Sequence, residues 1–422
     1  MLRFAPSQTE DIKLDSLRVA LFHHIISKKQ NEELIVRIED TQKEKNIENK
    51  DKEILELLSL FGIDYTRALY QSENIKYHTQ MAMKLLLDKK AFNCFCSDEA
   101  LAQDKEIATN ENKPYAYSGF CETISDETKF NCNAPFIVRM KQPEVAVTTS
   151  DIVQGELSHT PVQIDSFKIL NHDKSPTASF ATAVDDMLFD ISTIVTLEKN
   201  SVQTAQQKHI RTALGYEKEI NTLFLPDIID AKMSVQSLVE KGYLPVAITN
   251  YVMLLSYKTS QEIFTLEDII KDFDIDKIIQ TPAKFEIEKL NEINRKYMMM
   301  LEDMRFSKII GFADEDIGKL AKLFVEECNT TKEIEKRVKA IFSEKKSLEN
   351  FEEEFVTLKK CLQKAPFIKE FDDLIKYITK NTDLEEQTLI KVLSFALTST
   401  TNNQNLSKIY PLIQNYLGEI IK

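Results

Sequence analysis

The chain has 422 residues, of which 43% are apolar and 29% are charged, and its formal net charge is -13. This length predicts two to four domains, and the acidic balance argues against a general polyanion-binding protein. Only 8 residues are glycine, whereas average usage near 7% would give about 30, so glycine-rich nucleotide loops such as GxGxxG or GxxxxGK[ST] are not expected.

The first sixty residues predict an alternating α/β unit. A short apolar strand over 2–6 precedes a helix over 14–28, which is followed by a buried strand over 33–38 and an amphipathic helix over 50–61. This order is typical of a doubly wound sheet, in which ligands bind beyond the carboxyl ends of the strands.

Residues 72–161 have the character of an insertion into this unit. A helix over 77–89 leads into a cysteine-containing segment over 92–96, a polar stretch and short strands over 136–140 and 145–149. The α/β pattern then resumes, with predicted elements over 166–171, 182–189 and 191–196.

From Pro226 onward the pattern is almost entirely helical, and 301–422 is a series of amphipathic helices. This last part carries 19 basic and 21 acidic residues, so a local RNA contact is compatible with its charge.

The chain has no apolar run of about 18 residues and no secretion-signal pattern, and six cysteines do not predict a disulfide scaffold. We therefore expect a cytoplasmic protein without a membrane partner.

Two polar clusters follow the first two predicted strands, RFAPS at 3–7 and RIEDT at 37–41. Neighbouring strand ends are where an α/β sheet binds ligands, although a structural Arg–Glu pair at the sheet end would explain the same residues. Together the clusters resemble the opening of class I glutamyl-tRNA synthetases, RFAPSPTG-x-x-HIGG followed by RIEDTD. The resemblance continues through DKSPT at 173–177, the Asp185-Asp186 pair and GYLPVAITNY at 242–251, and it is closest to the second synthetase of bacteria that carry two.

The resemblance implies a fold, a reaction and partners. The fold is a Rossmann-like α/β catalytic domain split between 1–71 and 162–225, with an inserted α+β acceptor-binding domain over 72–161. A stem-contact domain over 226–300 and an all-α anticodon-binding domain over 301–422 follow. The implied reaction is the attachment of glutamate to a glutamate- or glutamine-type tRNA with ATP and Mg²⁺, without DNA as a partner.

Both ATP signatures of that family differ here. The HIGG tetrapeptide corresponds to Lys13-Leu14-Asp15-Ser16, so the histidine is a lysine, both glycines carry side chains, and Asp15 places a negative charge beside the nucleotide. The second signature, D-G-x-K-[LM]-S-K-R, either survives as the truncated remnant Lys232-Met233-Ser234 or has been lost through deletion of the whole loop. In both alignments about eight residues and the second lysine are absent.

The amino-acid pocket departs from the family in the same way. Its tyrosine, asparagine and strand-end arginine correspond to Ala178, Thr182 and Thr196, whereas Arg3, Ser7 and Glu39 are retained. Loss of one preorganised transition-state donor costs about 10²–10³ in rate, and several are missing. We therefore expect lost or much reduced glutamate activation. The alternative is an inactive paralogue that binds tRNA, a partner synthetase or an amidotransferase.

The candidate site residues fall into three groups. The ATP region comprises Ala5, Lys13, Asp15, Ser16, Arg18, Lys232, Met233 and Ser234. The substrate group comprises Arg3, Ser7, Glu39, Thr182 and Thr196. The third group is Cys94, Cys96 and Cys121, whose spacing matches the zinc ligands of some family members, with Cys132 as a possible fourth ligand; a decayed zinc site is the alternative.

Overall fold

The computed structural model describes residues 1–112, 115–401 and 405–422. The strands are β1 (Leu2–Phe4), β2 (Leu34–Ile38), β3 (Arg67–Tyr70), β4 (Ala91–Cys94), β5 (Ile137–Met140), β6 (Val147–Asp151), β7 (Gly155–His159), β8 (Lys168–Leu170), β9 (Thr193–Leu197), β10 (Asn221–Leu225), β11 (Ile228–Ile229) and β12 (Ala283–Lys284).

The α-helices of the first 285 residues are α1 (Leu14–Gln30), α2 (Lys50–Leu60), α3 (Ile75–Leu87), α4 (Asp98–Asn110), α5 (Asp126–Asn131), α6 (Pro161–Ile164), α7 (Ala178–Leu188), α8 (Ser201–Ala213), α9 (Val235–Glu240), α10 (Pro245–Leu254) and α11 (Leu266–Asp272). Those that follow are α12 (Ile287–Met300), α13 (Asp303–Ile309), α14 (Glu315–Leu323), α15 (Thr331–Phe342), α16 (Glu352–Gln363), α17 (Phe371–Asn381), α18 (Glu386–Thr398), α19 (Leu406–Ile413) and α20 (Leu417–Ile420).

The main sheet has seven strands in the order β3-β2-β1-β9-β10-β6-β7. Its strands pair in parallel except for the β6–β7 hairpin. Every residue of β1 and β2 is buried, as expected for central strands covered by helices on both faces. The predicted helices over 14–28 and 50–61 and the predicted strand over 33–38 are confirmed with small shifts at their ends.

Two strands belong to a different sheet from the one that the predicted limits of the insertion imply. β6 lies within 72–161, yet it pairs in parallel with β10 through Thr222 and Asp151 and so belongs to the main sheet. Asp151 reinforces this edge because its Oδ2 accepts the Phe224 N–H at 3.2 Å. Conversely, β8 was predicted to resume the main α/β pattern, but it joins the small antiparallel sheet β4-β5-β8.

The chain forms two compact units. The first comprises residues 1–236 and 252–285 and contains every strand of the described residues; the second comprises 237–251 and 286–422 and is helical in the described part. In the second unit Gly318 on α14 lies against the backbone of Asp303 on α13, where a Cβ would stand 1.8 Å from the carbonyl oxygen. Among the described residues, none of the helices combines the length and apolar character needed to cross a bilayer.

Candidate functional site

The carboxyl ends of β1 and β2 remain paired beyond the strands themselves. The Glu39 N–H donates to the Pro6 carbonyl at 2.9 Å, and Ser7 bridges Glu39 in parallel register. The RFAPS and RIEDT segments therefore run side by side at the ligand-binding edge of the sheet, as the sequence predicted.

Helix α7 presents a fully buried carboxylate, Asp186, to both of these strands. Arg3 donates from Nε and Nη2 to the two Asp186 oxygens at 3.0 Å each, and Arg37 Nη1 donates to Oδ1 at 2.7 Å. Burial alone would raise the pKa of Asp186, but the positive charges of Arg3 and Arg37 hold it well below its usual range. Arg3, predicted as a substrate ligand, is thus also one half of a buried ion pair.

The preceding residue, Asp185, is buried in a neighbouring hydrogen-bond network, and its Oδ2 also lies 3.8 Å from Arg37 Nε. His78 Nε2 lies 2.7 Å from Oδ1, Asn74 Nδ2 donates to the same oxygen at 3.0 Å, and Gln71 Nε2 donates to Oδ2 at 3.2 Å. Each of these three hydrogen bonds links α7 to α3 or to the turn before it. Asp185 and His78 therefore have a structural role, which is to hold these elements together.

A cavity of about 170 Å³ lies beside the ion pairs of Asp186, and Arg3 is part of its lining. Glu39 and Thr182 meet across it, since the Thr182 hydroxyl donates to Glu39 Oε1 at 2.9 Å while accepting from Arg37 Nη2 at 3.1 Å. On another wall, Asn200 Nδ2 donates to Thr196 Oγ1 at 3.1 Å. The lining residues are Arg3, Ala5, Glu39, Ala178, Thr182, Ile194, Thr196, Asn200, Gln203, Thr204 and Gln207.

The cavity unites most of the residues predicted to bind substrate. Arg3, Glu39, Thr182 and Thr196 all line it. The predicted Ser7 lies outside the lining, and its hydroxyl pairs with Thr9 Oγ1 at 2.9 Å. Ala5, predicted for the ATP region, lines the same cavity, as does Ala178.

Helix α8 supplies residues that the sequence reasoning missed. Gln203, Thr204 and Gln207 line the cavity, and their i, i+1, i+4 spacing places them on one face of a helix. The spacing of these polar residues can be read from the sequence. Whether they face solvent or a cavity depends on how α8 packs against the rest of the chain.

The first turn of α1 contains Asp15, the residue at the first glycine of the ATP signature. Its Oδ1 accepts from Arg18 Nη2 at 2.8 Å and from the Ile228 N–H at 3.1 Å, and Arg18 also donates to the Pro226 carbonyl. Burial raises the pKa of Asp15, and the Arg18 charge opposes this shift. These contacts join the start of α1 to the segment after β10, and the adjacent Ser16 is half-buried.

The two signature segments contact each other directly. The Val235 N–H donates to the Ile12 carbonyl at 2.8 Å, and Lys13 and Ser234 form an antiparallel bridge. The Lys13 ammonium projects outward and pairs with Glu10 Oε2 at 2.6 Å. Lys232 is exposed, and the neighbouring Met233 is half-buried.

Three of the four predicted thiols converge. The Sγ atoms of Cys94, Cys96 and Cys121 lie within 4.8 Å of one another, whereas Cys132 is exposed and is not part of the group in the described residues. The phenol of Tyr117 lies beside this group, with its oxygen 3.5 Å from Cys94 Sγ and 3.4 Å from Cys96 Sγ. Sequence spacing had offered only the cysteines as ligands.

Comparisons with known proteins agree with this architecture. The model of the family "tRNA synthetases class I (E and Q), catalytic domain" matches residues 1–292. "Glutamate--tRNA ligase 2" of Sulfurimonas denitrificans is 43% identical, and "Glutamate--tRNA ligase 1" of Nitratiruptor sp. is 41% identical, each with the full length of both chains covered.

A solved structure shows the same fold. The crystal structure of a glutamate tRNA ligase from Elizabethkingia meningosepticum in complex with its amino acid aligns with a TM-score of 0.78 at 20% identity, covering 100% of this chain and 98% of that one. The predicted fold, a class I synthetase catalytic domain followed by a helical C-terminal region, is confirmed.

Proposed function

This chain belongs to the class I glutamate–tRNA ligase family, and we propose that it is a member in which ATP-dependent activation of glutamate is lost or much reduced. ATP and Mg²⁺ are expected in the family. The proposed remaining role is the binding of a glutamate- or glutamine-type tRNA. The observation that carries this proposal is the first turn of α1, where the carboxylate of Asp15 replaces the glycine that family members place beside ATP.

The residues around Asp15 fit a triphosphate poorly. Asp15 is half-buried, and a carboxylate repels a nearby phosphate more strongly in a partly buried site than in bulk water. Asp15 is also held in place by Arg18 and by the Ile228 N–H. Moreover, the cation available at the histidine position, Lys13, is already paired with Glu10 at the surface. We therefore assign no catalytic step to ATP in this chain.

The contact between the two signature segments supports the same proposal. In the family the second signature is a mobile loop whose second lysine contacts the triphosphate, whereas here Val235 N–H is bonded to Ile12 O. The alignment with the Sulfurimonas relative spans 432 positions against 422 residues in this chain. At least ten aligned positions therefore have no counterpart here, consistent with a shortened loop.

The direct test is ATP–pyrophosphate exchange with glutamate, with and without tRNA. The Sulfurimonas denitrificans ligase, 43% identical, serves as the positive control under the same conditions. We expect exchange at least about 10⁴-fold slower than in the control, because several transition-state donors are missing. Exchange at a comparable rate would disprove the loss of activation.

The tRNA-binding role has its own test. Retention of tRNA on filters should decrease as salt increases, with a negative slope of log affinity against log salt, because phosphate contacts release counterions. If no tRNA is retained even at low salt, the role is instead binding to a partner synthetase or an amidotransferase. Co-purification with each candidate protein would then identify it.

We further propose that the thiol cluster holds a structural zinc ion through Cys94, Cys96 and Cys121. A tetrahedral site with Zn–S bonds near 2.3 Å separates its sulfur atoms by about 3.8 Å, and the three thiols here lie within 4.8 Å of one another. Burial would raise the pKa of the Cys94 thiol, but its hydrogen bonds and the charge of Arg139 lower it, whereas burial raises the pKa of the Cys96 thiol to about 11. The Tyr117 oxygen lies nearest to the three thiols, but burial raises the pKa of this phenol well above its usual range and so disfavours the phenolate.

A further inference from the structure

The last turn of α8 carries a buried arginine without an adjacent counter-charge. Arg211 is 4% exposed, and its Nη1 has no hydrogen-bond partner among the described residues. Within residues 1–112, 115–401 and 405–422, its guanidinium also forms no ion pair within 4.0 Å. Because a guanidinium keeps its charge in proteins, the fold buries a cation that the described carboxylates leave unpaired.

Two other features of the fold stabilise this charge only in part. Burial lowers the pKa of Arg211, and the negative charge of Asp186 opposes this shift from a distance. Asp186 is already shared by Arg3 and Arg37 in direct hydrogen bonds. The C-terminal end of a helix also favours a cation, but this contribution is small beside the cost of burying an unpaired charge. A counter-ion at Arg211 is therefore favourable.

A cleft of about 20 Å³ lies beside Arg211. Most of its lining residues belong to the segment that leads from α8 to β10, so the cleft lies at the amino end of β10. The cavity at Arg3 and Glu39 lies at the carboxyl ends of the strands, which form the opposite edge of a parallel sheet. The two linings share no residue, and the cleft is a separate site.

Both lysines that line the cleft already have carboxylate partners. Lys208 Nζ donates to the two carboxylate oxygens of Glu219 at 2.7 Å each. Lys218 Nζ donates to Asp190 Oδ2 at 2.6 Å. These pairs are neutral as a whole, so they leave the positive charge of Arg211 uncompensated.

The remaining charged residue of the lining, Glu217, does not neutralise Arg211. Glu217 is exposed, and its carboxylate forms no hydrogen bond or ion pair in the part of the chain that the structure describes. Its charge is therefore solvated and screened by salt.

The volume of the cleft limits the ligand. About 20 Å³ admits one particle of roughly the size of a water molecule, which excludes a phosphate or carboxylate group. A water molecule would accept a hydrogen bond from Nη1 but would leave the charge unpaired. A monoatomic anion supplies both the acceptor and the charge.

We propose that the cleft beside Arg211 binds a single monoatomic anion of the chloride type. The Nη1 N–H of Arg211 donates to the anion, which supplies the counter-charge for the buried guanidinium. The site goes beyond the proposed function, because it requires neither ATP nor tRNA nor an amino acid.

Thermal unfolding of the full chain tests the proposal. Sodium chloride replaces sodium gluconate at constant ionic strength, because gluconate is too large for the cleft. An anion that binds only the folded state raises the unfolding midpoint, and we expect a rise of at least about 2 °C by about 200 mM chloride. An unchanged midpoint would overturn the proposal.

A pair of variants separates binding at Arg211 from a general effect of the salt. Arg211→Met removes the buried cation at similar volume and should abolish the chloride response. The matched control is Arg337→Met, because Arg337 pairs with Glu327 at the surface of the helical unit and its loss should leave the response intact. Equal responses in the two variants would contradict the assignment.

Crystals of the wild-type protein grown with sodium bromide give a measurement that does not depend on the folding of a variant. We expect an anomalous bromide peak beside Arg211 Nη1. Density at that position without an anomalous signal would show that a water molecule occupies the cleft, and the proposal would be wrong.

Discussion

The guanidinium of Arg3 and the carboxylate of Asp186 form a two-point ion pair, with Nε and Nη2 each 3.0 Å from an oxygen. One residue lies on the central strand β1 and the other, 183 positions later, on α7. Because this pair orients Arg3 before any ligand arrives, the floor of the polar cavity is preorganised by the fold.

The Arg3–Asp186 pair predicts a large stability effect for Asp186→Asn. The substitution leaves two buried guanidinium groups, Arg3 and Arg37, without their full counter-charge, and we expect a loss of about 3–5 kcal/mol. Urea denaturation measures it. The control is Asp190→Asn, since Asp190 pairs with Lys218 at the surface and such pairs contribute about 0–1 kcal/mol. Equal losses in the two variants would contradict the prediction.

His23 predicts a specific pH dependence of stability. Burial lowers the pKa of His23 to about 3, and its Nε2 accepts the Val195 N–H at 2.9 Å, so a proton on Nε2 would face that N–H. The unfolded chain titrates near 6.5, so between these values the unfolded state binds one more proton. His23 should therefore contribute a decrease in stability of about 1.4 kcal/mol per pH unit as pH falls from about 6.5 toward 3. The pKa values of His24, His159 and His209, which burial also lowers, add to this slope.

Urea denaturation at several pH values checks the His23 prediction by comparison with a variant. His23→Gln removes this proton, so its stability should depend less steeply on pH than that of the wild type. His172→Gln, at an exposed histidine, should leave the slope unchanged. Parallel slopes for the wild type and His23→Gln would show that His23 does not remain neutral when folded.

Gly318→Ala should destabilise the helical unit. The added Cβ would lie 1.8 Å from the Asp303 carbonyl oxygen, so α13 and α14 would have to move apart, which costs about 1–3 kcal/mol or more. Gly418→Ala is the matched control, because nothing lies within 4 Å of its added Cβ. Thermal unfolding should show a lower midpoint for Gly318→Ala alone, and an unchanged midpoint would indicate that the helices repack freely.

The thiol cluster predicts which cysteine variants lose zinc. Cys121→Ser should reduce the zinc content of the purified protein, measured by elemental analysis, because it removes one of three converging thiolates. Cys132→Ser should retain zinc, since Cys132 is exposed and apart from the group. Tyr117→Phe separates two arrangements: zinc loss would make the phenol a ligand, and retention would assign the fourth position to another donor.

Much of the cavity was predictable from local sequence. Arg3, Glu39, Thr182 and Thr196 were identified because they correspond to the amino-acid pocket of the family that the sequence resembles, and all four line the cavity. The contribution of Gln207 was not identified. No helix was predicted over the residues of α8, and a polar stripe on a helix is compatible with solvent as well as with a cavity.

The amino-acid sequence by itself determined the alternating strands and helices of the first sixty residues, the helical character of 301–422, the family and the residues that replace the ATP signatures, because these depend on local periodicity and on short motifs. Only the tertiary structure decided that Asp186 pairs with Arg3, that Val235 bonds to Ile12, that β6 joins the main sheet and that Tyr117 rather than Cys132 accompanies the thiols. Each of these contacts joins segments that are separated along the chain. Their formation depends on how helices and strands pack, and packing is not encoded in the spacing of neighbouring residues.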